Sequence, residues 1–266
     1  IGKALEHFAV AMRHDGRLRT SIRPLVVAVF VFVPLNIPLP GQSAPSTAYS
    51  VGQRGVLTLE LFNTSKTVAA GSLRLRAAAG QSLPSAMSIL SYRQGGVLIS
   101  EATVPATRPV LTARTAVLTG GAVRTGIAIV NANAELAQVE YRFTDERGQD
   151  AGSGFLTIPA NGQIARFADE LDGRPDGAFT GSMTLSANRP VGLTALRGLL
   201  NERGEFLITT LPVADLADPD AAAPVLPHVV DGGGWTTRVG LINPTDRKST
   251  RLNSSHVSES RMPSSA

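Results

Sequence analysis

The feature that most constrains the fold is an internal repeat with a period of about 110 residues. The apolar segment Thr125–Asn133 ends in an Asn-rich turn and returns as Thr237–Thr245, with Asn131 aligned to Asn243 at an offset of 112. Two further segments recur at offsets of 110 and 109: Gly71–Leu75 as Gly181–Leu185, and Leu98–Pro105 as Leu207–Pro212. Solenoid repeats are much shorter, whereas one β-sandwich domain takes about 100 residues. The period therefore predicts consecutive sandwich domains.

Local patterns predict mostly strands inside each unit. Val139, Tyr141 and Phe143 alternate with polar residues, and residues 87–92 and 97–100 flank a Gly-Gly turn. Strands are also expected at Phe179–Ser186, Val191–Arg197 and Glu205–Thr210, separated by turns at 188–190 and 201–204. Ile164, Phe167 and Leu171, at spacings of three and four, predict one short helix over 163–171. Turns every 8–12 residues favour antiparallel sandwiches over a parallel α/β sheet.

The repeat divides the chain into one complete unit between two incomplete ones. Residues 112–213 form the complete, central unit, and residues 49–111 form a shortened first unit that lacks its opening strands. The sheet edge left open there is expected to be covered by Val51–Phe62 or by the neighbouring unit. An acidic, Pro-containing linker at 214–225 precedes the start of a third unit at 226–245.

The first 48 residues read as upstream residues followed by a signal peptide that starts at Met12. Basic residues from Arg13 to Arg23 precede the apolar run Leu25–Leu35, and small residues follow in Gly41–Ala48, with cleavage expected between Ser43 and Ala48. The apolar run is shorter than the roughly 20 residues of a membrane span. We therefore expect a secreted or cell-surface bacterial protein without stable membrane insertion, and a signal anchor is the alternative.

The last 21 residues, 246–266, resemble a translated sequencing adapter. Asp246–His256 matches the beginning of a short-read adapter, Ser260–Ala266 matches its far end, and the residues between fit an index tag. We interpret this segment as an artefact and exclude it from the fold. The chain carries a net charge of +4, of which 246–266 contribute +2 and 1–44 contribute +3, so residues 45–245 have −1. This charge argues against a nucleic-acid partner.

The residue inventory argues against an enzyme. The chain has no cysteine, which excludes disulfides and thiol chemistry. His228 is the one histidine between residues 45 and 245, and no Gly-x-Ser-x-Gly motif accompanies it. No cofactor is expected, apart from a possible calcium ion.

Two features are candidate binding sites. Asp169, Glu170, Asp172 and Asp176 offer the carboxylate oxygens that Ca²⁺ prefers, although without EF-hand spacing; the alternative is a solvated turn whose charge Arg174 partly balances. Trp235, the one tryptophan, follows Gly232–Gly234 and is a candidate ligand residue that stacks on a sugar ring. The alternative for Trp235 is a packing anchor in a core or between domains.

The segments Ser88–Glu101, Thr125–Asn133, Gln163–Leu171, Asn201–Val213 and Asp231–Thr245 together resemble uncharacterised tandem immunoglobulin-like modules of exported bacterial proteins. The resemblance covers residues 71–245 and implies an all-β fold of tandem immunoglobulin-like antiparallel β-sandwiches, but no catalytic residue. The expected function is a non-catalytic surface stalk, spacer or adhesion element. Its partners are other repeats or domains of the same chain, or a surface glycan or protein. The alternative is a carbohydrate-binding accessory module of a secreted hydrolase.

Overall fold

The computed structural model describes residues 25–32, 46–60, 70–218 and 225–245. These residues form antiparallel strands and one short 3-10 turn, Ala168–Glu170, with no α-helix among them, which confirms the predicted all-β class. The strands are β1 (Leu25–Phe32), β2 (Ser46–Val51), β3 (Ser72–Ala77), β4 (Met87–Gln94), β5 (Val97–Pro105), β6 (Val110–Thr119), β7 (Val123–Val130), β8 (Ala137–Asp145), β9 (Asp150–Ile158), β10 (Gln163–Phe167), β11 (Phe179–Leu200), β12 (Phe206–Leu211) and β13 (Val213–Asp215). Within the described ranges, no helix is long and apolar enough to cross a membrane.

The central unit consists of two groups of strands that share β11. The first half of β11, Phe179–Ala187, pairs with β6 on one side and β8 on the other, and β9 and β13 extend this group. The second half, from Gly192 onwards, pairs with β7 and β12, and β10 extends that group beside β7. A register shift between Ser186 and Val191 separates the halves, so that one strand serves both groups.

A single apolar core lies between the two groups. Val139, Tyr141 and Phe143 of β8 are almost fully buried, as their alternation predicts. They meet Ile127 and Ile129 of β7 in one cluster that also contains residues of β6, β9 and β11. The rings of Tyr141 and Phe143 stack edge to face with centroids 5.8 Å apart. This burial supplies the main stabilisation of the unit.

The residues before the central unit form a three-stranded sheet, ordered β2-β1-β3, and the hairpin β4–β5. The hairpin confirms the Gly95-Gly96 turn, where both glycines have positive φ. The predicted signal peptide lies largely outside the described residues, but Leu25–Phe32 of its apolar run is β1, the middle strand of the sheet. Residues 246–266 lie outside the described residues altogether.

Two local predictions are wrong. Residues 163–167 form β10 rather than a helix, because Ile164 and its neighbours pair with Gly126–Val130 of β7. Residues 188–190 form no turn, because the chain passes through the register shift and continues as β11. Residues 52–60 form no strand, and the expectation that Val51–Phe62 or the neighbouring unit covers the edge of the first unit stays a prediction.

Two strands extend beyond the predicted limits of the central unit. β6 begins at Val110, and β13 ends at Asp215 after pairing with Ala113–Thr115. The sheet therefore includes two residues on either side of 112–213.

Candidate functional site

Arg124, at the start of β7, holds the first two residues of the predicted calcium cluster. Its Nε and Nη2 donate to the two carboxylate oxygens of Asp169 at 2.8 and 2.7 Å, and Nη2 also donates to Glu170 at 3.0 Å. The guanidinium lies 3.7 Å from the ring centroid of Phe167. The other Glu170 oxygen accepts the Phe167 backbone N–H at 3.1 Å. These contacts fix the 3-10 turn against β7.

Arg124 partly balances the charge of this cluster. Partial burial lowers the pKa of Arg124, but its hydrogen bonds to Asp169 and Glu170 and their negative charges outweigh that effect and raise it. The balancing cation is thus Arg124, which lies 45 residues away from Asp169 in sequence. A bidentate arginine–carboxylate pair is a strong, directional contact. It competes directly with any cation for the same oxygens.

The four predicted calcium ligands do not form a common site. Asp172 contributes its backbone carbonyl to a 2.7 Å hydrogen bond from the Tyr141 hydroxyl, and the Asp172 and Asp176 residues are exposed. No group of three or more acidic or histidine residues that could hold a metal ion occurs in the described parts of the chain. Arg124 thus engages the carboxylates of Asp169 and Glu170, and the structure does not gather Asp169, Glu170, Asp172 and Asp176 into a metal site.

Asn131 is the polar centre at one end of the central unit. It is fully buried, and its Nδ2 donates to the carbonyls of Glu135, Ile158 and Pro159 at 2.7, 3.0 and 2.9 Å. Its Oδ1 accepts from the backbone and side chain of Asn133 at 3.0 and 2.7 Å. One side chain thus connects the end of β7, the following loop and the end of β9. We call residues 131–133 the Asn turn.

A second polar contact near β7 is a threonine hydroxyl that bridges β6 and β7. Thr125 Oγ1 accepts from the backbone N–H of Leu118 at 2.9 Å and donates to the carbonyl of the same residue at 3.1 Å. Between them, Gly120 and Val123 exchange two backbone hydrogen bonds around a tight turn. The Thr125 side chain is fully buried, so this bridge aligns β6 with β7.

The same geometry occurs again 112 residues later. Thr237 Oγ1 accepts from Val230 N–H at 3.0 Å and donates to its carbonyl at 2.6 Å. Gly232 and Trp235 exchange two backbone hydrogen bonds, as Gly120 and Val123 do. Asn243 Oδ1 accepts from Thr245 N–H at 3.0 Å, which matches the Asn turn. Residues 230–245 therefore repeat the turn contacts of residues 118–133, although residues 236–244 form no strand like β7.

The two segments, residues 118–133 and residues 230–245, which we call the repeated hairpins, differ in burial. Ile127 and Ile129 of the central unit are 3% and 1% exposed, whereas their counterparts Val239 and Leu241 are 50% and 88% exposed. Trp235, the counterpart of half-buried Val123, is 68% exposed. The Trp235 ring is accessible, and it lies where the central unit has a strand residue, Val123, that pairs with β11.

Sequence reasoning did not find Arg124 or the threonine bridges. A single arginine within a predicted strand gives no signal of its partner, because the pairing with Asp169 depends on the path of the chain through β8, β9 and β10. The threonine bridges could have been predicted from the sequence, because Thr125 and Thr237 both begin the repeated segment and both follow a glycine-containing turn.

Comparisons with known proteins assign no family. No family model matches the chain, and no curated protein matches it. Among solved structures, the crystal structure of Thermotoga maritima 1070 is similar over 39% of this chain and 94% of that chain, with 14% sequence identity and a TM-score of 0.34. A similarity this low identifies neither a fold family nor a function.

Proposed function

We propose that the protein is a non-catalytic, exported chain of immunoglobulin-like sandwich units that acts as a surface stalk, spacer or adhesion element. The observation that carries this proposal is the repeated hairpin geometry at 118–133 and 230–245. Repetition of a unit lengthens a chain and places other domains at a set distance, without requiring a reacting group.

The contacts of the central unit support a structural role. The charged cluster at Asp169 is engaged by Arg124, and the buried Asn131 amide connects three chain segments through backbone carbonyls. Both networks fix strand ends relative to each other, which is what a rigid spacer requires. In this proposal the exposed apolar side chains of Val239 and Leu241 belong to the core of a further unit.

The export part of the proposal is tested by labelling intact bacterial cells that express the chain with an antibody raised against residues 112–213. We expect labelling of intact cells, while a cytoplasmic control protein is labelled only after permeabilisation. Mass spectrometry of the exported chain gives the N-terminus: cleavage between Ser43 and Ala48 removes β1, whereas retention of β1 keeps the β2-β1-β3 sheet. Labelling only after permeabilisation contradicts the proposal.

The alternative function, a carbohydrate-binding accessory module of a secreted hydrolase, is favoured by one observation. Trp235 is exposed and follows three glycines with positive φ, so its ring is accessible to a ligand. Aromatic side chains in such positions stack on sugar rings.

Trp235→Ala discriminates between the two functions in a pull-down with insoluble cellulose, chitin and xylan. If the protein is a stalk, we expect neither the unaltered chain nor the variant to bind. Phe155→Ala is the matched control, because Phe155 is 74% exposed but lies on β9. Binding that Trp235→Ala abolishes and Phe155→Ala leaves intact establishes the carbohydrate-binding function instead.

A further inference from the structure

An arginine from the first unit contacts the Asn turn of the central unit. Arg74 of β3 donates from Nη2 to the carbonyl of Ala132, and the same nitrogen lies 3.4 Å from Asn161 Oδ1. Asn161 itself donates its backbone N–H to the carbonyl of Asn133 at 3.0 Å. Partial burial, followed by the nearby charge of Arg76, lowers the pKa of Arg74. The guanidinium is therefore partly withdrawn from water at this contact.

An arginine of the central unit makes the corresponding contact with the following segment. Arg114 of β6 donates from Nη1 to the carbonyl of Asn243 at 2.8 Å, and its Nε donates to Thr184 Oγ1 at 2.8 Å. Asn243 is the repeat counterpart of Asn131 and starts the same type of turn. Arg114 thus connects β6 of the central unit to the turn at Asn243, which is the counterpart of the Asn turn.

The two arginines occupy neighbouring positions when the units are aligned by the repeat. Arg74 aligns with Thr184 in the repeat, at an offset of 110. In the central unit, Thr184 pairs across the sheet with Arg114, and the two side chains are hydrogen bonded. The arginine of the central unit therefore lies on the strand next to the position that corresponds to Arg74. In both cases the acceptor is a backbone carbonyl of the Asn turn or of its repeat counterpart.

We propose that each unit binds the Asn turn of the next unit through one arginine, and that this contact sets a repeating orientation along the chain. We call the contact the arginine clamp, made by Arg74 and Arg114. The partner that it recognises is a second copy of the unit, joined in series. This inference rests on the tandem arrangement in the proposed function and adds the surface through which the units meet.

The chemistry of the turn suits an arginine. The side-chain oxygen of Asn131 is already occupied by Asn133, which leaves backbone carbonyls of the turn as acceptors. A guanidinium carries five donors in a planar fork and reaches across a gap between domains. A hydrogen bond from a charged donor is stronger than one between neutral groups.

A second contact shows that equivalent strands of two units lie side by side. Ser100 Oγ of β5 accepts the backbone N–H of Ile208 in β12 at 2.9 Å, and Thr210 Oγ1 donates to the carbonyl of Thr103. These pairs are 108 and 107 residues apart, close to the repeat period, so β5 and β12 run in the same direction. Neighbours related by translation form a head-to-tail contact that can continue, unlike a two-fold contact that closes on itself.

The clamp is tested by measuring distances between nitroxide labels in the full chain. The chain has no cysteine, so pairs of introduced cysteines are labelled specifically. The pair Gln81→Cys and Glu146→Cys reports on the first contact, and the pair Glu146→Cys and Thr236→Cys reports on the second. We expect Arg74→Ala to broaden the first distance distribution at least twofold and Arg114→Ala to broaden the second.

Two further variants make the test specific. Arg203→Ala is the control, because Arg203 forms an exposed ion pair with Glu205 in a turn of the central unit; it is expected to leave both distributions unchanged. Asn161→Gly removes the second acceptor of Arg74 while keeping a residue that tolerates the positive φ of this position. We expect it to broaden the first distribution only.

Distributions that keep their width in both arginine variants overturn the clamp. The proposed function is judged separately, by the labelling of intact cells and by carbohydrate binding. If the chain binds polysaccharide and the arginine variants broaden the distributions, the stalk function is contradicted and the clamp is supported. If the chain does not bind polysaccharide and the distributions keep their width, the clamp is contradicted and the stalk function is not.

Discussion

Replacing Asn131 with leucine is expected to destabilise the protein by about 4 kcal/mol. The carbonyls of Glu135, Ile158 and Pro159 lose their common donor, and the Asn133 amide loses its acceptor. A buried polar group left without a partner costs about 1–3 kcal/mol, and leucine cannot replace any of these bonds. Because whole proteins have stabilities of only about 5–15 kcal/mol, the loss should be evident as a large fall in the urea midpoint of unfolding.

Asn131→Asp separates the loss of hydrogen bonds from a change in shape. The aspartate has almost the same shape, but its ionised carboxylate faces three carbonyl oxygens and is shielded from water. Its folded-state pKa should therefore rise above the unfolded value of about 3.9. The penalty should then grow as the pH increases above that value, and unfolding at pH 7.5 should be easier than at pH 4.5, relative to the unaltered protein.

Asn188→Asp is the matched control for this charge change. Asn188 is exposed and accepts the Gln138 backbone N–H through Oδ1 at 2.8 Å, a bond that a carboxylate retains. The free energy of unfolding of the Asn188→Asp variant should differ from that of the unaltered protein by less than about 0.5 kcal/mol at either pH. Equal effects of the two aspartate variants would contradict the role assigned to Asn131.

Gly154→Ala is expected to destabilise the protein by about 3 kcal/mol, through overlap and a lost hydrogen bond. A Cβ on Gly154 would overlap the Tyr141 hydroxyl and lie 2.8 Å from the Asp172 carbonyl, the two atoms that form a hydrogen bond. Burial, and then the charge of Asp172, raise the pKa of Tyr141, so the hydroxyl keeps its proton for this bond. The measurement is again the urea midpoint.

Two comparisons isolate the overlap. Gly192→Ala makes the same substitution in β11, where the nearest atom to the new Cβ is 3.7 Å away on Val130; a change of less than about 1 kcal/mol is expected. Combining Gly154→Ala with Tyr141→Phe removes the overlapping hydroxyl, so the alanine should cost less in that background than alone. A Gly192→Ala effect as large as that of Gly154→Ala would mean that glycine flexibility, rather than close packing, explains both.

The strands with one buried face were predictable from sequence. In β8 the buried and exposed side chains alternate as the residue types do, because burial of one face of a pleated strand selects apolar residues at every second position. β10 was not predictable in this way. Ile164, Phe167 and Leu171 have helical spacing, but the partner that determines the outcome is β7, more than thirty residues earlier in the chain.

The same limit applies to the candidate site. The acidic residues near 169–176 were visible as a cluster, but the cation that pairs with two of them is Arg124 on another strand. Composition alone suggested Arg174, the nearest basic residue in sequence. Ion pairs formed across a sheet depend on register, which local patterns do not contain.

β11 has a consequence for how the chain becomes folded. β6 pairs only with β11 and β13 along the described strands, and Thr184 of β11 meets Arg114 of β6 across 70 residues of sequence. In a chain synthesised from its N-terminus, β6, β7, β8 and β9 therefore emerge from the ribosome before β11, the strand that joins them, has been made. Pairing over such separations is slow, because the ends of a long loop must first meet. Until Phe179–Leu200 emerges, only the β8–β9 and β7–β10 pairs can form. The central unit is then still incomplete, a state in which a polypeptide can be threaded through a narrow channel.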